Sequence, residues 1–132
     1  MKRDIPNLKV KDVAVAIVPR EGDNELWDTY IINLKGDNIK NVLINSRGYG
    51  EHKGDKVKTT ILRHFYEKIN PMTTLKIEPI QVKLFGLTDE YWVSFSYRGH
   101  LYDKKYVFVR GSIDTANFTS IPFLEKKGVM IR

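Results

Sequence analysis

The segment Glu90–Val109, with the sequence EYWVSFSYRGHLYDKKYVFV, constrains the fold more than any other part of the chain. Aromatic and β-branched residues fill two runs, and a turn at Arg98–His100 that contains a glycine separates them. Such residues pack well on the half-buried surface of a sheet, and a glycine between two such runs is typical of a hairpin. The segment therefore predicts two antiparallel strands joined at Arg98–His100.

Shorter runs before this hairpin carry the same signature. Residues Val10–Val18 alternate Val and Ile with small alanines and end at Pro19, which predicts a first strand. The run Leu26–Leu34 predicts a second strand. The turn-forming sequence KGDN at Lys35–Asn38 then predicts a hairpin between this strand and the one that begins at Ile39.

The stretch Val57–Ile69 is ambiguous, because its apolar residues fit both helical spacing and a strand. We interpret it as a strand from Val57 to about Phe65. The run TTLKIEPI predicts a further strand that Pro79 ends or places at a sheet edge, and QVKLFGL predicts one short helical turn. The tail NFTSIPFLEKKGVMIR is apolar enough to pack on the domain, and the alternative is that it docks on a partner.

Seven strand-like runs, with neither a long amphipathic helix nor a repeat, indicate an all-β fold. We expect residues 1–132 to form a single domain, an antiparallel β-sandwich of immunoglobulin-like type with about seven strands and at most one short helix. A closed small barrel is the alternative. A chain of 132 residues is long enough for one core.

The chain contains no cysteine, which excludes disulfides, thiolate metal sites and a cysteine nucleophile. The first residues lack the apolar run of a signal peptide, and eighteen apolar residues never follow one another. We therefore expect a cytoplasmic protein that does not span a membrane. The net charge of +6 permits weak attraction to RNA, DNA or an acidic protein surface.

The glycine-rich stretch NSRGYGEHKGDKVKTT invites comparison with a phosphate-binding loop. Gly48, Gly50 and Gly54 do not have the spacing of a P-loop, and Lys56 is followed by Val57 instead of Ser or Thr. The dinucleotide-binding pattern fails as well, because it needs a third glycine where this chain has a lysine. We predict a polar hairpin loop that uses glycine for positive φ.

Titratable residues do not converge in any known motif. His52, His64 and His100 match no metal-ligand spacing, so we expect them to be solvated or singly hydrogen-bonded, with no metal and no cofactor. Asp89 and Glu90 are adjacent on a strand and point to opposite faces, which argues against joint acid–base work. We expect this pair to discourage aggregation at a sheet edge.

Alternation along the hairpin divides its aromatic residues between two faces. Tyr91, Val93, Phe95 and Tyr97 lie on the side that builds the core, whereas Trp92 lies on the other side with Ser94, Ser96 and Arg98. Tyr102 or Tyr106 is a further candidate for an exposed aromatic platform. The candidate binding residues are Trp92, Arg98, His100 and Tyr102, which we expect the turn to project together at one end of the sandwich.

Several segments resemble a family of small bacterial proteins of nearly this length. They are TYIINL, NVLINSRGYG, LRHF, KIEPI, EYWVSFSYRGHLYDKKYVFV and KKGVMIR. Some members of that family bear the name phenylalanyl-tRNA synthetase alpha subunit. The arginine-bearing ATP motifs of a class II synthetase do not occur in this sequence, so the resemblance implies no catalytic residue here.

We expect a non-enzymatic interaction module that binds a protein or peptide by β-augmentation. The first alternative is binding of RNA or tRNA, which the basic charge and the aromatic hairpin favour. The second is a small enzyme with an unrecognised site. A pocket that groups His52 or His64 with Glu51, Asp55 or Asp103 would support this last alternative.

Overall fold

The computed structural model describes residues 8–132, which form ten strands and two short 3₁₀ helices. The strands are β1 Val13–Pro19, β2 Leu26–Asn33, β3 Ile39–His52, β4 Asp55–Lys58, β5 Leu62–Ile69, β6 Thr73–Gln81, β7 Thr88–Tyr97, β8 His100–Phe108, β9 Thr119–Ile121 and β10 Lys126–Ile131. The all-β prediction is confirmed, although about seven strands was too few. Within the described residues, no helix has the length and apolar character needed to cross a membrane.

Two antiparallel sheets share these strands. Sheet A has the order β6-β2-β1-β10-β9, and sheet B has the order β4-β3-β7-β8. Strand β5 also belongs to sheet B, where β4 and β5 pair with successive parts of the β3 edge that faces away from β7. The 14-residue strand β3 therefore forms the centre of sheet B.

One hydrophobic core lies between the sheets. Its fully buried side chains include Val13, Val15, Ile17 and Ile31 from sheet A, and Ile44, Val93, Phe95 and Tyr106 from sheet B. A smaller cluster covers the opposite face of β1, where Ala14 and Ala16 allow the segment near Ile121 and Leu124 to approach closely. Both faces of β1 are therefore buried, and the prediction that the C-terminal tail packs on the domain is confirmed.

The predicted hairpin between β2 and β3 is wrong. β2 pairs with β1 and β6 in sheet A, whereas β3 begins sheet B, so the KGDN sequence carries the chain from one sheet to the other. Buried Asn33 holds this crossing, because its Nδ2 donates to the carbonyl oxygens of Asp37 at 2.9 Å and Asn70 at 3.0 Å. A turn signal in the sequence does not specify which sheet receives the next strand.

The glycine-rich stretch is mostly strand. Gly48 and Gly50 lie within β3, and the turn itself consists of Lys53 and Gly54, with φ values of 52° and 83°. The predicted strand from Val57 to Phe65 is divided into β4 and β5 by residues 59–61. Thr59 forms this break by donating its backbone N–H to the Gly48 carbonyl at 2.8 Å and accepting the Gly48 N–H on Oγ1 at 2.7 Å.

The aromatic hairpin is confirmed. β7 and β8 pair along their whole length, and Arg98 and Gly99 form the turn with φ values of 50° and 78°. The short helical turn is confirmed as the 3₁₀ helix Val82–Gly86. Pro79 lies in β6, which is an edge strand of sheet A, as the sequence predicted for a proline in a strand.

Candidate functional site

The four predicted binding residues do not form one group. Trp92 pairs with Lys105, far along β7 from the turn, and Tyr102 pairs with Phe95 on the opposite, core-facing side of sheet B. Tyr102 stacks on Phe95 with ring centroids 5.3 Å apart. Arg98 and His100 are exposed at the turn, so Trp92 alone of the four lies on the outer face of sheet B.

Tyr106 is also not part of an exposed platform. It is fully buried, and its hydroxyl donates to the Val13 carbonyl at 2.6 Å. Burial raises the pKa of Tyr106 well above its ordinary value. Its role is to join the two sheets within the core, because Val13 belongs to sheet A.

The register of sheet B places a set of large and basic side chains together on its outer face. Asn45 pairs with Arg63 on one side and Trp92 on the other, and Lys105 pairs with Trp92 in the same row. In the next row Leu43 pairs with Phe65. Ser94 and the exposed Asp103 continue that row. We call this surface the Trp92 face, and it comprises Leu43, Asn45, Arg47, Arg63, Phe65, Glu90, Trp92, Ser94, Asp103 and Lys105.

The apolar members of the Trp92 face are unusually accessible. The exposed fraction is 62% for Phe65, 41% for Trp92 and 38% for Leu43. Lys105 Nζ lies 4.7 Å from the Trp92 ring centroid, and Arg47 pairs with Glu90 at 3.1 Å. Single exposed apolar residues are ordinary, but neighbouring ones with a polar, charged rim indicate an interaction surface.

A free strand edge borders this surface. Within the described part of the chain, β5 pairs with β3 alone, and its other edge has no strand beside it. An edge strand presents unpaired backbone N–H and C=O groups, to which another chain can pair. Phe65 and Arg63 of β5 thus combine exposed side chains with exposed backbone.

A second feature lies between the sheets, and we call it the interior cleft. It has a volume of about 460 Å³. Its walls comprise Ser46, Arg47, Gly48, Thr59, Thr60, Leu62, Glu78, Pro79, Ile80, Gln81, Lys83, Leu84, Asp89 and Tyr91. β6 of sheet A faces β3 and β7 of sheet B here, and the break between β4 and β5 forms one side of the opening.

Glu78 of β6 is the hydrogen-bonding centre of the interior cleft. Ser46 Oγ donates to its carboxylate at 3.0 and 3.1 Å, and the Tyr91 hydroxyl donates at 3.4 Å. His64 Nε2 lies 2.5 Å from Glu78 Oε1. These contacts fix the Glu78 carboxylate between the sheets.

Asp89 is buried in the same cleft but lacks such partners. It is 3% exposed, and its Oδ2 has no hydrogen-bond partner within residues 8–132. Burial, followed by the negative charge of Glu78, raises the pKa of Asp89 to about 7. A carboxyl group in this setting changes its protonation near neutral pH, which is a frequent property of functional sites.

The predicted role of the Asp89–Glu90 pair is wrong in one respect. The two side chains do point to opposite faces, but β7 lies between β3 and β8 and is not an edge strand. Asp89 therefore lines the interior cleft, whereas Glu90 pairs with Arg47 on the outer face.

Sequence reasoning missed the interior cleft. The hypothesis of a small enzyme required His64 or His52 beside Glu51, Asp55 or Asp103, whereas the structure places His64 beside Glu78. Ser46 and His64 both contact Glu78, so their order is not that of a hydrolytic triad. Within residues 8–132, no three His, Asp or Glu side chains are arranged to hold a metal ion.

No protein-family model, curated protein or solved structure matches this chain.

Proposed function

We propose that the protein is a non-enzymatic interaction module, and that a segment of a partner protein or peptide binds along β5 and covers the Trp92 face. The observation that supports this most directly is the adjacency of Phe65, Leu43 and Trp92, which are large, apolar and exposed. Covering such a surface removes apolar area from water, which favours association.

The free edge of β5 suggests how the partner binds. A strand added beside β5 makes main-chain hydrogen bonds, and every second side chain of that strand then lies on the outer face next to Phe65 and Arg63. The eight residues of β5 are enough for such pairing. Main-chain pairing supplies affinity, and contacts with the Trp92 face determine which side chains the partner strand can carry.

The charges indicate what kind of partner is suitable. Lys105 pairs with Trp92, and Arg63 lies in the same row on the other side of Asn45; both are exposed, and Asp103 is the exposed acid of the neighbouring row. Tryptophan and arginine are the residues most typical of interface hot spots. We therefore propose a partner segment that combines apolar side chains with Asp or Glu. Complementary charge speeds encounter and disfavours basic competitors.

A photoreactive phenylalanine analogue at position 65 tests this proposal in cells. We expect covalent protein adducts at position 65, and none when the analogue replaces Lys127, which is exposed on sheet A. Affinity for the captured partner should then fall about tenfold or more in Trp92→Ala and in Arg63→Glu. Adducts at both positions, or affinity that these substitutions leave unchanged, would refute the proposal.

RNA is the second candidate partner. Lys105 lies over Trp92 and Arg47 Cζ lies 5.1 Å from the Tyr49 ring centroid, an alternation of basic and aromatic groups that suits base stacking. The resemblance to proteins named for a tRNA synthetase agrees with this candidate. Fluorescence anisotropy should compare labelled bulk tRNA with an unrelated duplex at low and physiological salt.

The salt series separates the two candidates. Binding that favours tRNA and survives physiological salt would support RNA. Weak binding that is equal for both nucleic acids and falls steeply with salt would reflect charge alone, because phosphate contacts release counterions. That result would leave the protein partner as the better proposal.

Two finer expectations belong to the same proposal. We propose that the two sheets form a sandwich of immunoglobulin-like type, which their antiparallel pairing around one core supports. We also propose that the protein works in the cytoplasm, where a fluorescent fusion would locate it.

A further inference from the structure

We propose that the interior cleft binds a small organic cation, a primary amine or a guanidinium, whose positive group is taken up by Asp89 and Glu78. This site is separate from the Trp92 face. The Trp92 face is the outer surface of sheet B, whereas Asp89 and Glu78 line the space between the two sheets. The two proposals can therefore fail independently.

The first support is the unsatisfied carboxyl group. A buried polar atom without a hydrogen bond costs about 1–3 kcal/mol, so folded proteins rarely keep one without a reason. Asp89 Oδ2 is such an atom, and Asp89 lines the interior cleft. An ammonium or guanidinium group entering the cleft would supply the missing donor.

The second support is that Asp89 forms no ion pair within residues 8–132. The ionisable groups around it are Glu78 from β6, Tyr91 from β7, Arg47 from β3 and the exposed Lys83 from the 3₁₀ helix, while His64 from β5 contacts Glu78. Arg47 borders the cleft, but its guanidinium pairs with Glu90 at 3.1 Å. Burial and the charge of Glu78 are the influences that act on Asp89, so a bound cation would relieve both.

The third support is the construction of the walls. Ser46 and Tyr91 hold the Glu78 carboxylate in place, while Leu62, Ile80 and Leu84 offer apolar surface for a hydrocarbon portion. About 460 Å³ falls within the usual range of small-molecule sites.

Gly48 makes room for the carboxyl group of Asp89. A Cβ added at Gly48 would lie 3.0 Å from Asp89 Oδ1 and 3.2 Å from Thr59 Cγ2. A side chain at this position would therefore press on Asp89 and on the break between β4 and β5. The absence of a side chain at Gly48 therefore leaves space beside the Asp89 carboxyl group.

A cation is favoured over a neutral polar ligand. Hydrogen bonds between an ammonium and a carboxylate are roughly twice as strong as those between neutral groups. Asp89 offers the unpartnered oxygen, and the negative charge of Glu78 adds to the attraction for a cation. A metal ion would need more protein ligands than this part of the structure brings together.

Binding should depend on pH in a defined direction. The cation stabilises ionised Asp89, so binding releases the proton that Asp89 carries when the cleft is empty. Because the pKa of Asp89 is about 7, its ionised fraction rises about tenfold between pH 6 and pH 8. Affinity for the cation should increase by about the same factor over that interval.

Carboxyl ¹³C NMR titration with n-butylammonium tests the proposal. We expect the Asp89 resonance to shift on addition, its titration midpoint to fall, and the apparent Kd to decrease about tenfold from pH 6 to pH 8. Neutral n-butanol is the matched ligand control and should not reproduce these changes. Asp89→Asn should abolish the pH dependence, whereas the exposed Asp55→Asn should keep it.

Three results would overturn the proposal. These are binding of n-butanol as tight as that of n-butylammonium, unchanged affinity in Asp89→Asn, and no shift of any resonance from the interior cleft. Titration with Nα-acetyl-lysine methylamide then distinguishes a protein lysine from a free amine as the ligand. Tighter binding than n-butylammonium assigns the site to a lysine of a partner protein, and weaker or equal binding assigns it to a free amine.

Discussion

Two aspartates of this protein are almost equally buried and yet differ in almost every other respect. Asp28 on β2 is 4% exposed, and Asp89 on β7 is 3% exposed. Arg20 donates to both carboxylate oxygens of Asp28, at 2.6 and 3.2 Å, and Lys76 Nζ lies 3.5 Å away. Asp89 has no ion pair and leaves Oδ2 without a partner in the described chain.

The pKa values of the two groups move in opposite directions. The hydrogen bonds from Arg20 lower the pKa of Asp28 below its ordinary value, and burial raises that of Asp89 to about 7. Depth of burial is therefore not the deciding property. The hydrogen-bond partners determine the direction of the pKa shift. The ion pair with Arg20 stabilises ionised Asp28, whereas unpartnered Asp89 lowers stability at neutral pH, which indicates a role in binding instead of folding.

The largest expected effect is a gain of stability in Asp89→Asn at pH 8. The folded state holds the Asp89 proton more tightly than the unfolded state, so the penalty is absent at acidic pH, grows as pH rises and is complete above pH 7. Removing the ionisable group should raise the free energy of unfolding by up to about 4 kcal/mol at pH 8.

Urea unfolding at several pH values measures this gain. It should shrink towards zero near pH 4, about the ordinary pKa of an aspartate. Asp55→Asn, an exposed substitution on β4, should change stability by less than about 0.5 kcal/mol throughout. A gain in Asp89→Asn that does not vary with pH would mean that Asp89 does not titrate as the structure indicates.

Asp28→Asn is the matched substitution and should have the opposite sign. It exchanges charge-assisted hydrogen bonds from Arg20 for neutral ones, so the free energy of unfolding should fall by about 1–2 kcal/mol at pH 7. Because the pKa of Asp28 is lowered, this contribution is present above the ordinary aspartate pKa and is lost as pH falls through the folded value.

The same urea series tests this second prediction. Wild type and Asp28→Asn should converge in acid, while wild type and Asp89→Asn should diverge as pH rises from about 4 to about 7 and then differ by a constant amount. A loss in Asp28→Asn that persists unchanged below about pH 2 would assign the effect to packing instead of charge.

Local patterns in the sequence predicted much of the fold but not its connections. The aromatic alternation and the Arg98–Gly99 turn identified β7 and β8, because a hairpin depends on neighbouring residues alone. The segment Lys35–Asn38 predicted a hairpin that does not exist. Whether a strand joins its predecessor or crosses to the other sheet is decided by long-range packing, which local patterns do not contain.

The interior cleft was beyond prediction for a similar reason. Glu78 and Asp89 come from different sheets, and no spacing rule connects them. One signal was present: Ser46 and Asp89 lie two residues from the buried Ile44 and Tyr91 and therefore share the core-facing side of their strands. A polar residue in the apolar register of a strand marks either a hydrogen-bonded pair or a site, and the sequence alone does not distinguish them.

The smallest expected effect concerns how Glu78 influences Asp89. Glu78→Gln removes the charge while keeping the volume and an acceptor for Ser46, so the pKa of Asp89 should fall. It should remain above the ordinary aspartate value, because burial is the larger of the two causes. Carboxyl ¹³C NMR of Asp89 measures the change, and exposed Glu67→Gln on β5 is the control.

Each outcome of the Glu78→Gln measurement bears on why Asp28 and Asp89 differ. An ordinary pKa for Asp89 in this variant would mean that repulsion from Glu78, and not burial, distinguishes it from Asp28. An unchanged pKa would mean that the charge of Glu78 does not act on Asp89, and one cation could not then interact with both carboxyl groups. A partial fall is the result expected if the interior cleft is buried, anionic and built for a positively charged ligand.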